Sequence, residues 1–396
     1  MLAVSSVAGY EEELQRIDRD IADLSATDPF AAPINAERLT RYIYRRYQRA
    51  SLAGDLAQLR AVERAIERAV PLVINPGDFW LLKANVAFKL HRLADVEAAL
   101  LAIPTFSHCT EVRLLRADLD FQHGHYDEAE AEYIAAIESE RSWSALARLA
   151  HFRGKTGDLA GADRLYREAE DELTAKEMRS YAWLEVQRGF LAFSGGAYQG
   201  ARFHYDRAEA AYPRYWLADE YRAELFGAEG KYAAAIDRFQ ALASANDRPD
   251  LLQAIAELYE IAERPDAARE WQKKALAGYL QSAQRGEVQY FHHLADYYAD
   301  VARDGPQAVT WAKADLQLRE NFATQSALAW AFYRNAEFKE ARGWIDRALA
   351  SGVVDAHLLF RAAKIYAAAG DGDTGRNFLG RARALNPLVE RFRLHH

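Results

Sequence analysis

The hydrophobic and small residues of this chain recur in a pattern with a period of about 34 residues. In each copy, a glycine is followed at the second position by a large residue, at the fifth by a small one and at the ninth by an aromatic one. The clearest copies begin at Gly124, Gly157, Gly196 and Gly230. A fixed period in this range is typical of solenoids, in which each unit packs mainly on its neighbours.

Each copy of the pattern predicts two helices. In residues 127–139 the apolar and small side chains recur at steps of three and four residues, which is the spacing of one helix face. Alanine, leucine, glutamate and arginine are strong helix formers, and no strand-like alternation bounded by hairpin turns appears. The glycine marks the corner between the two helices, where the backbone needs a left-handed conformation. We therefore predict an all-α fold.

The corner positions divide the chain into ten units between about Ala36 and Leu394. The corners fall near Gly54, His91, Gly124, Gly157, Gly196, Gly230, Glu263, Arg303, Ala336 and Gly370. Two of the steps between corners are longer by roughly one and a half helical turns. The extra residues fall in 171–178 and 280–287, and we expect longer second helices at both places.

This pattern resembles the tetratricopeptide repeat, a helix–turn–helix unit of about 34 residues. The matching residues are the small residue of the first helix (Ala117, Ala150, Gly189, Ala223, Ala256, Ala329, Ala363), its aromatic (Tyr259, Phe332, Tyr366), the alanine of the second helix (Ala129, Ala162, Ala201, Ala235, Ala268, Ala341) and the terminal proline (Pro213, Pro387). The resemblance implies a right-handed α-solenoid, a superhelix over residues 36–394. The units near residues 54, 91 and 303 depart from the pattern.

The first 35 residues lie outside the repeats. We interpret residues 1–35 as a capping helix over the first repeat, followed by a linker that contains Pro29 and Pro33. The alternative is a segment that docks into the groove of the superhelix and blocks it. Residues 10–24 form the predicted acidic helix, whose apolar face consists of Leu14, Ile17, Ile21 and Leu24.

Composition narrows the class of partner. The chain is 50% hydrophobic and 27% charged, which is typical of a folded protein, and its net charge of −8 argues against nucleic-acid binding. A basic or amphiphilic protein or peptide partner fits better. The single cysteine, Cys109, excludes an intramolecular disulfide and a cysteine metal cage. With no bilayer-spanning apolar run and no signal-peptide pattern, we expect a cytoplasmic protein, or alternatively a periplasmic one whose leader was removed.

The motifs that would indicate an enzyme are weak. Gly370, Gly372 and Gly375 match G-x-G-x-x-G, but a dinucleotide site needs a preceding strand, and residues 357–369 have a helical pattern. The sequence contains no H-E-x-x-H, no G-x-S-x-G and no phosphate-binding loop. We therefore expect no enzyme and no cofactor.

A small-ligand or metal-binding accessory protein is the alternative to an adaptor. His292, Asp296 and Asp300 follow each other at steps of four and share a helix face, and a histidine with two carboxylates can bind a divalent metal. Because the three are spread along ~12 Å of helix, a site there needs a further ligand from a neighbouring unit. Corner residues 123–127 contain two more histidines, for which we expect a surface position.

The resemblance implies that the first helices line a concave groove in which a partner segment binds. The predicted groove residues are Phe121, Arg148, His151, Trp183, Gln187, Phe190, Phe193, Glu220, Tyr221, Glu224, Glu257, His292, Asp296, Trp330, Tyr333 and Arg334. Aromatic anchors flanked by charge favour a specific peptide groove. The alternative is that Trp183, Phe190 and Phe193 pack between helices. We predict a non-enzymatic adaptor or scaffold that binds a peptide or protein segment.

Overall fold

The structure is a computed structural model and describes residues 9–103, 109–245 and 248–390, which are helical and contain no strand. The helices are α1 (Tyr10–Ser25), α2 (Ala36–Ala53), α3 (Leu56–Ala69), α4 (Gly77–Lys89), α5 (Leu93–Leu101), α6 (Thr110–Gln122), α7 (Tyr126–Ser139), α8 (Trp143–Thr156), α9 (Leu159–Asp171), α10 (Met178–Ser194), α11 (Tyr198–Ala211), α12 (Trp216–Ala228), α13 (Tyr232–Ala245), α14 (Pro249–Ile261), α15 (Pro265–Gln284), α16 (Phe291–Asp296), α17 (Gly305–Leu318), α18 (Phe322–Arg334), α19 (Phe338–Ala350), α20 (Ala356–Ala368) and α21 (Gly372–Leu385).

Helices α2 to α21 pair in chain order into helical hairpins, from α2 with α3 to α20 with α21. We number these hairpins as the first to the tenth unit. The second helix of a hairpin packs on the first helix of the next, as α3 packs on α4 and α7 on α8, and α5 shares a hydrophobic cluster with α6. The predicted all-α solenoid of about ten helix–turn–helix units is confirmed.

All ten predicted corners have a positive φ, whether or not the residue is glycine. At Gly157, where φ is 107°, the N–H groups of residues 157 and 158 bond the carbonyl of Arg153, which closes the end of α8. Four corners hold residues with a Cβ, which disfavours this conformation. These are His91 (φ 59°), Glu263 (57°), Arg303 (55°) and Ala336 (60°).

The two long steps between corners have different causes. The expectation of a longer second helix is confirmed for residues 280–287, because α15 runs for 20 residues. It was wrong for residues 171–178, because α9 ends at Asp171 and a loop leads to α10. Acidic residues are unfavourable at the negative C-terminal end of a helix. A longer α9 would place Glu172 at that end, directly after Asp171. In the loop, the N–H and hydroxyl of Thr174 both donate to the Glu177 carboxylate at 2.9 Å.

The eighth unit departs from the repeat, as the sequence predicted near residue 303. Its first helix, α16, has six residues and continues as a π-helical turn over Tyr297–Val301. There the N–H of Ala302 bonds the carbonyl of Tyr297 at 3.0 Å, five residues earlier. A π-helical turn accommodates one extra residue, so the corner at Arg303 is kept while the first helix is widened.

The N-terminal helix α1 packs on α2 and also reaches the beginning of the sixth unit. Ile17 is buried in one cluster with Tyr212. The Tyr212 hydroxyl donates to the Glu13 carboxylate at 2.7 Å, and the N–H of Tyr10 donates to the Pro213 carbonyl at 3.2 Å. Helix α1 therefore covers the first unit and ties it to a segment about 200 residues away in sequence.

Corners of early units contact chain segments about six units later. The Tyr126 hydroxyl, in the third unit, accepts a bond from the N–H of Phe322 in the ninth at 2.8 Å. The Thr156 carbonyl, in the fourth unit, accepts one from the N–H of Val354, just before the tenth, at 3.2 Å. Successive turns of the superhelix therefore lie directly against each other.

The same line of contacts extends toward both ends of the array. The Trp216 indole N–H donates to the carbonyl of Leu52 at 2.7 Å, and the Asn386 side-chain amide donates to the carbonyl of Phe193 at 3.3 Å. We name this line the seam, defined by four residue pairs: Leu52–Trp216, Tyr126–Phe322, Thr156–Val354 and Phe193–Asn386.

Candidate partner-binding interior

The first helices of the hairpins form the inner wall of the array. First helices of neighbouring units contact one another, for example α4 with α6, α8 with α10 and α18 with α20. In a curved array, the elements on the concave side approach most closely, so the first helices lie on that side. Because the seam joins successive turns, this wall surrounds a space that we name the interior.

Five side chains from four consecutive units form a continuous row on the inner wall. The Phe121 ring on α6 lies 6.4 Å from the His151 ring on α8, and Lys155 follows His151 one helical turn later. The Lys155 ammonium lies 4.6 Å from the centre of the Phe190 ring on α10. Phe190 in turn lies 5.6 Å from Tyr221 on α12. We name these five residues the interior row.

The interior row combines aromatic rings with one cation. Burial, together with the Lys155 charge, lowers the pKa of His151 to about 3, so this imidazole is neutral near pH 7. Burial also lowers the pKa of Lys155, while Asp355 and Glu224 act in the opposite direction. Phe121, His151, Lys155 and Phe190 are each partly accessible to solvent, whereas Tyr221 is buried.

Arg148, another predicted groove residue, is held by carboxylates of the third unit. Its guanidinium donates to Glu111 at 2.7 Å and lies 3.5 Å from Asp118. The Tyr133 hydroxyl donates to Asp118 at 2.6 Å. Burial raises the pKa of Asp118, although Arg148 and the Tyr133 bond oppose that change. Arg148 therefore fastens α8 to α6 through charges that compensate within the wall.

The charge of Glu220, a predicted groove residue, is compensated in the same way. Glu220 is only 2% exposed, and both of its oxygens accept bonds from the Arg248 guanidinium, at 2.7 and 2.9 Å. Arg248 also pairs with Asp250. Burial disfavours the charge on Asp250, but Arg248 and His293 outweigh it and hold the pKa of this carboxyl below its usual value.

The aromatic residues of α10 occupy different environments. Phe193 is 3% exposed and packs edge-on against Tyr198 at 5.4 Å, so it lies in the core between α10 and α11. Trp183 is half-buried and meets Trp143 edge-on at 6.3 Å. Packing between helices thus describes Phe193, while Trp183 and Phe190 keep solvent contact.

Three further predicted groove residues are polar. Gln187 and Glu224 are buried, and Glu257 is partly exposed and accepts a bond from Gln253 at 3.1 Å.

A second aromatic group lies in the ninth and tenth units. Trp330 is 4% exposed and stacks on Tyr333, with ring centres 4.8 Å apart. Its indole N–H donates to Asp300 at 3.0 Å. The guanidinium groups of Arg334 and Arg361 each lie 5.9 Å from the Trp330 ring. Trp330 is the buried member of this group, whereas Tyr333, Arg334, Arg361 and Asp300 are partly accessible.

The three residues considered as metal ligands do not converge. The His292 ring stacks in parallel on His91 of the second unit, with ring centres 6.2 Å apart. Asp296 accepts a bond from Arg361 at 2.9 Å, and Asp300 accepts one from the indole of α18. Across residues 9–103, 109–245 and 248–390, the structure gathers no group of three or more side chains that could hold a metal ion.

The corner histidines lie beside the seam. His123 contacts Glu97 at 3.1 Å, and His125, which is exposed, lies 3.4 Å from Asp120. Both border a cleft of about 510 Å³ between the third unit and the ninth, whose lining includes Glu320. Their surroundings are mixed in charge and open to solvent.

Sequence reasoning missed Lys155, the cation of the interior row. It lies four residues after His151 on α8, a spacing that places both on one helix face, so a signal was available. The position two residues before a corner was not among those that the resemblance placed in the groove. Lys155 is enclosed because the tenth unit approaches it, and no local sequence pattern indicates that approach.

Comparisons with known proteins leave the family open. No family model and no curated protein matches the chain. Among solved structures, the chain is similar to one described as the crystal structure of the APC/C hetero-tetramer Cut9-Hcn1, at 15% identity and a TM-score of 0.47, covering 96% of this chain and 80% of that one. The architecture therefore rests on the helix contacts described above. Within the described residues, no helix combines the length and the apolar character needed to cross a membrane.

Proposed function

We propose that this chain is a non-enzymatic adaptor of the tetratricopeptide type, which binds a segment of a partner protein in its interior. The observation that carries the proposal is the interior row. Its aromatic rings and its cation follow one another across four units and, except for Tyr221, keep partial solvent contact. Aromatic anchors beside charge are the usual origin of affinity in a binding groove.

The charges of the inner wall favour an amphiphilic partner over a basic one. The carboxylates of Glu220 and Asp118 on this wall are already paired with Arg248 and Arg148. A basic segment would have to compete with these arginines. An amphiphilic segment instead places apolar side chains against rings such as Phe190. We also propose a cytoplasmic location. The net charge of −8 favours a partner that is not a nucleic acid.

Site-specific photocross-linking tests the proposal. A benzophenone amino acid replaces Phe190 in one variant and Phe203 in the other, and each is irradiated in an extract of the source cells. Phe203 on α11 is the matched control, because it is an aromatic residue that is 55% exposed on a second helix. We expect a discrete cross-linked protein with position 190 and not with position 203. If a discrete protein were cross-linked at position 203 and not at position 190, that result would contradict interior binding.

Affinity measurements on the cross-linked partner complete the test. Phe190→Ala removes a ring that contacts both Lys155 and Tyr221, and loss of a central aromatic anchor weakens binding by roughly 30-fold or more. Phe203→Ala should leave the affinity unchanged. Circular dichroism shows whether the Phe190 variant keeps its helices. Equal affinities for the two variants would remove Phe190 from the binding surface. The contacts of Asp296 with Arg361 and of Asp300 with Trp330 do not support the metal-binding alternative.

A further inference from the structure

The seam closes the side of the superhelix along most of its length. Besides the four pairs that define it, the backbone of Tyr10 bonds Pro213 at one end. Farther along, Arg60 of the first unit pairs with Glu287, just before the eighth, at 3.1 Å. These contacts join the early units to the late ones at short intervals along the described chain.

The two turns of the superhelix approach to contact distance at the corner glycines. A Cβ added to Gly124 would lie 2.6 Å from the carbonyl oxygen of Glu320, and one added to Gly157 would lie 2.7 Å from that of Val354. Distances this short leave no room for even a methyl group. A polypeptide chain, with strands spaced ~4.8 Å apart when it pairs with others, cannot pass between the turns at these points.

Solvent nevertheless reaches the inner wall. Lys89, at the end of α4, is exposed to solvent, yet the surrounding protein lowers its pKa, as does the neighbouring charge of Arg148. Lys155 has the same combination of partial solvent contact and a burial-lowered pKa. A pKa lowered by burial, together with solvent contact, is what we expect of a side chain that lines an enclosed, hydrated space.

We propose that the closed seam restricts the interior to a chain that enters by a free end, so that the partner segment is a protein terminus. An internal loop or a folded domain would have to part the seam and break its hydrogen bonds. The identity of the occupant rests on the proposed function, whereas the enclosure does not.

Thiol labelling tests the enclosure directly. Lys155→Cys is introduced together with Cys109→Ser, and its reaction with N-ethylmaleimide is compared with that of a maleimide attached to a long polymer. The native Cys109, which is exposed, serves as the control in the unchanged protein. Both reagents should label Cys109 readily. At position 155 the polymer reagent should react roughly 100-fold more slowly than its Cys109 rate predicts, because it must wait for local opening.

Equal accessibility of positions 155 and 109 to the polymer reagent would overturn the enclosure. Lys89→Cys in the same background gives a second reading from the second unit, should the first variant fold poorly. In urea, both interior positions should react with the polymer reagent as fast as Cys109. Failure of N-ethylmaleimide to label the folded protein at both interior positions would contradict a hydrated interior.

Locking the seam tests how the segment enters. Thr156→Cys and Val354→Cys, whose backbones are bonded across the seam, are combined with Cys109→Ser and the photocross-linker at position 190. We expect cross-linking to the partner with the seam oxidised as well as reduced. Loss of cross-linking on oxidation alone would show that the seam opens to admit the segment and would overturn access by a free end. Loss in both forms would instead refute the proposed function, while the labelling experiment still decides the enclosure.

Discussion

Two histidines, His91 at the corner of the second unit and His151 on the inner wall, predict a loss of stability in mild acid. Burial lowers the pKa of His91 and of His151 to about 3, from an ordinary value of 6.5. Arg319 and His293 add to the effect at His91, and Lys155 does so at His151. The perturbation is a change from about pH 7.5 to about pH 5, which crosses the pKa of a histidine in the unfolded chain but not that of either folded ring.

The sign and size of the effect follow from linkage. Between the folded and unfolded pKa values, the unfolded state binds more protons, so stability is fully present above pH 6.5 and falls as the pH drops. At about pH 5, roughly 1.5 pH units lower, each ring costs about 2 kcal/mol. The two rings together cost about 4 kcal/mol, against a total of about 5–15 kcal/mol for a typical protein. The raised pKa of Asp118 acts in the opposite direction.

Urea unfolding at both pH values measures this acid-induced loss of stability. It is carried out on the wild type and on a His91→Gln/His151→Gln variant. The acid-induced loss in the free energy of unfolding should be smaller by about 4 kcal/mol in the variant. Repeat arrays unfold in steps under some conditions, so the comparison is made transition by transition. Nuclear magnetic resonance titration of the ring protons supplies an independent reading. Titration of His91 and His151 near pH 6.5, or an unchanged acid effect in the variant, would refute the reasoning.

Three further changes test individual contacts of the fold. Arg248→Ala removes the guanidinium that pairs with the buried carboxylate of Glu220 and should lower the free energy of unfolding by about 3–5 kcal/mol, measured by urea denaturation; wild-type stability would contradict the pairing. Ala336→Gly relieves a left-handed backbone in an exposed corner and should raise the melting temperature, with a gain of about 1 kcal/mol; a lower melting temperature would argue against that φ. Tyr126→Phe removes the hydroxyl that accepts from Phe322 and should cost about 1 kcal/mol, with faster amide exchange at residue 322; unchanged exchange would argue against this seam contact.

Local periodicity was sufficient to predict the units and their corners. The left-handed conformation at Ala336 was predicted without a glycine, because the neighbouring repeats fix the register. The same reasoning failed at residues 171–178, since a longer step shows that residues were inserted but not whether they lengthen a helix. The charges at the end of α9 and the bond between Thr174 and Glu177 decided that case.

The contacts across the seam could not be predicted from the period. Thr156 meets Val354 only after the small rotation between neighbouring units has accumulated over six of them. An error of a few degrees per unit would separate the two turns. The enclosure of Lys155, the lowered pKa of His91 and the pairing of Arg248 depend on this accumulated geometry or on packing between units, so they lie beyond what spacing and composition report.

The seam also gives this array a folding behaviour unlike that of an open solenoid. In an open array each unit touches only its neighbours, so folding starts anywhere and the ends fray independently. Here the bonds from Phe322 to Tyr126 and from Asn386 to Phe193 join residues 196 and 193 positions apart. Contacts of such high contact order form late and slow folding. They also couple the last units to the middle ones, so removing the tenth unit should loosen the fifth.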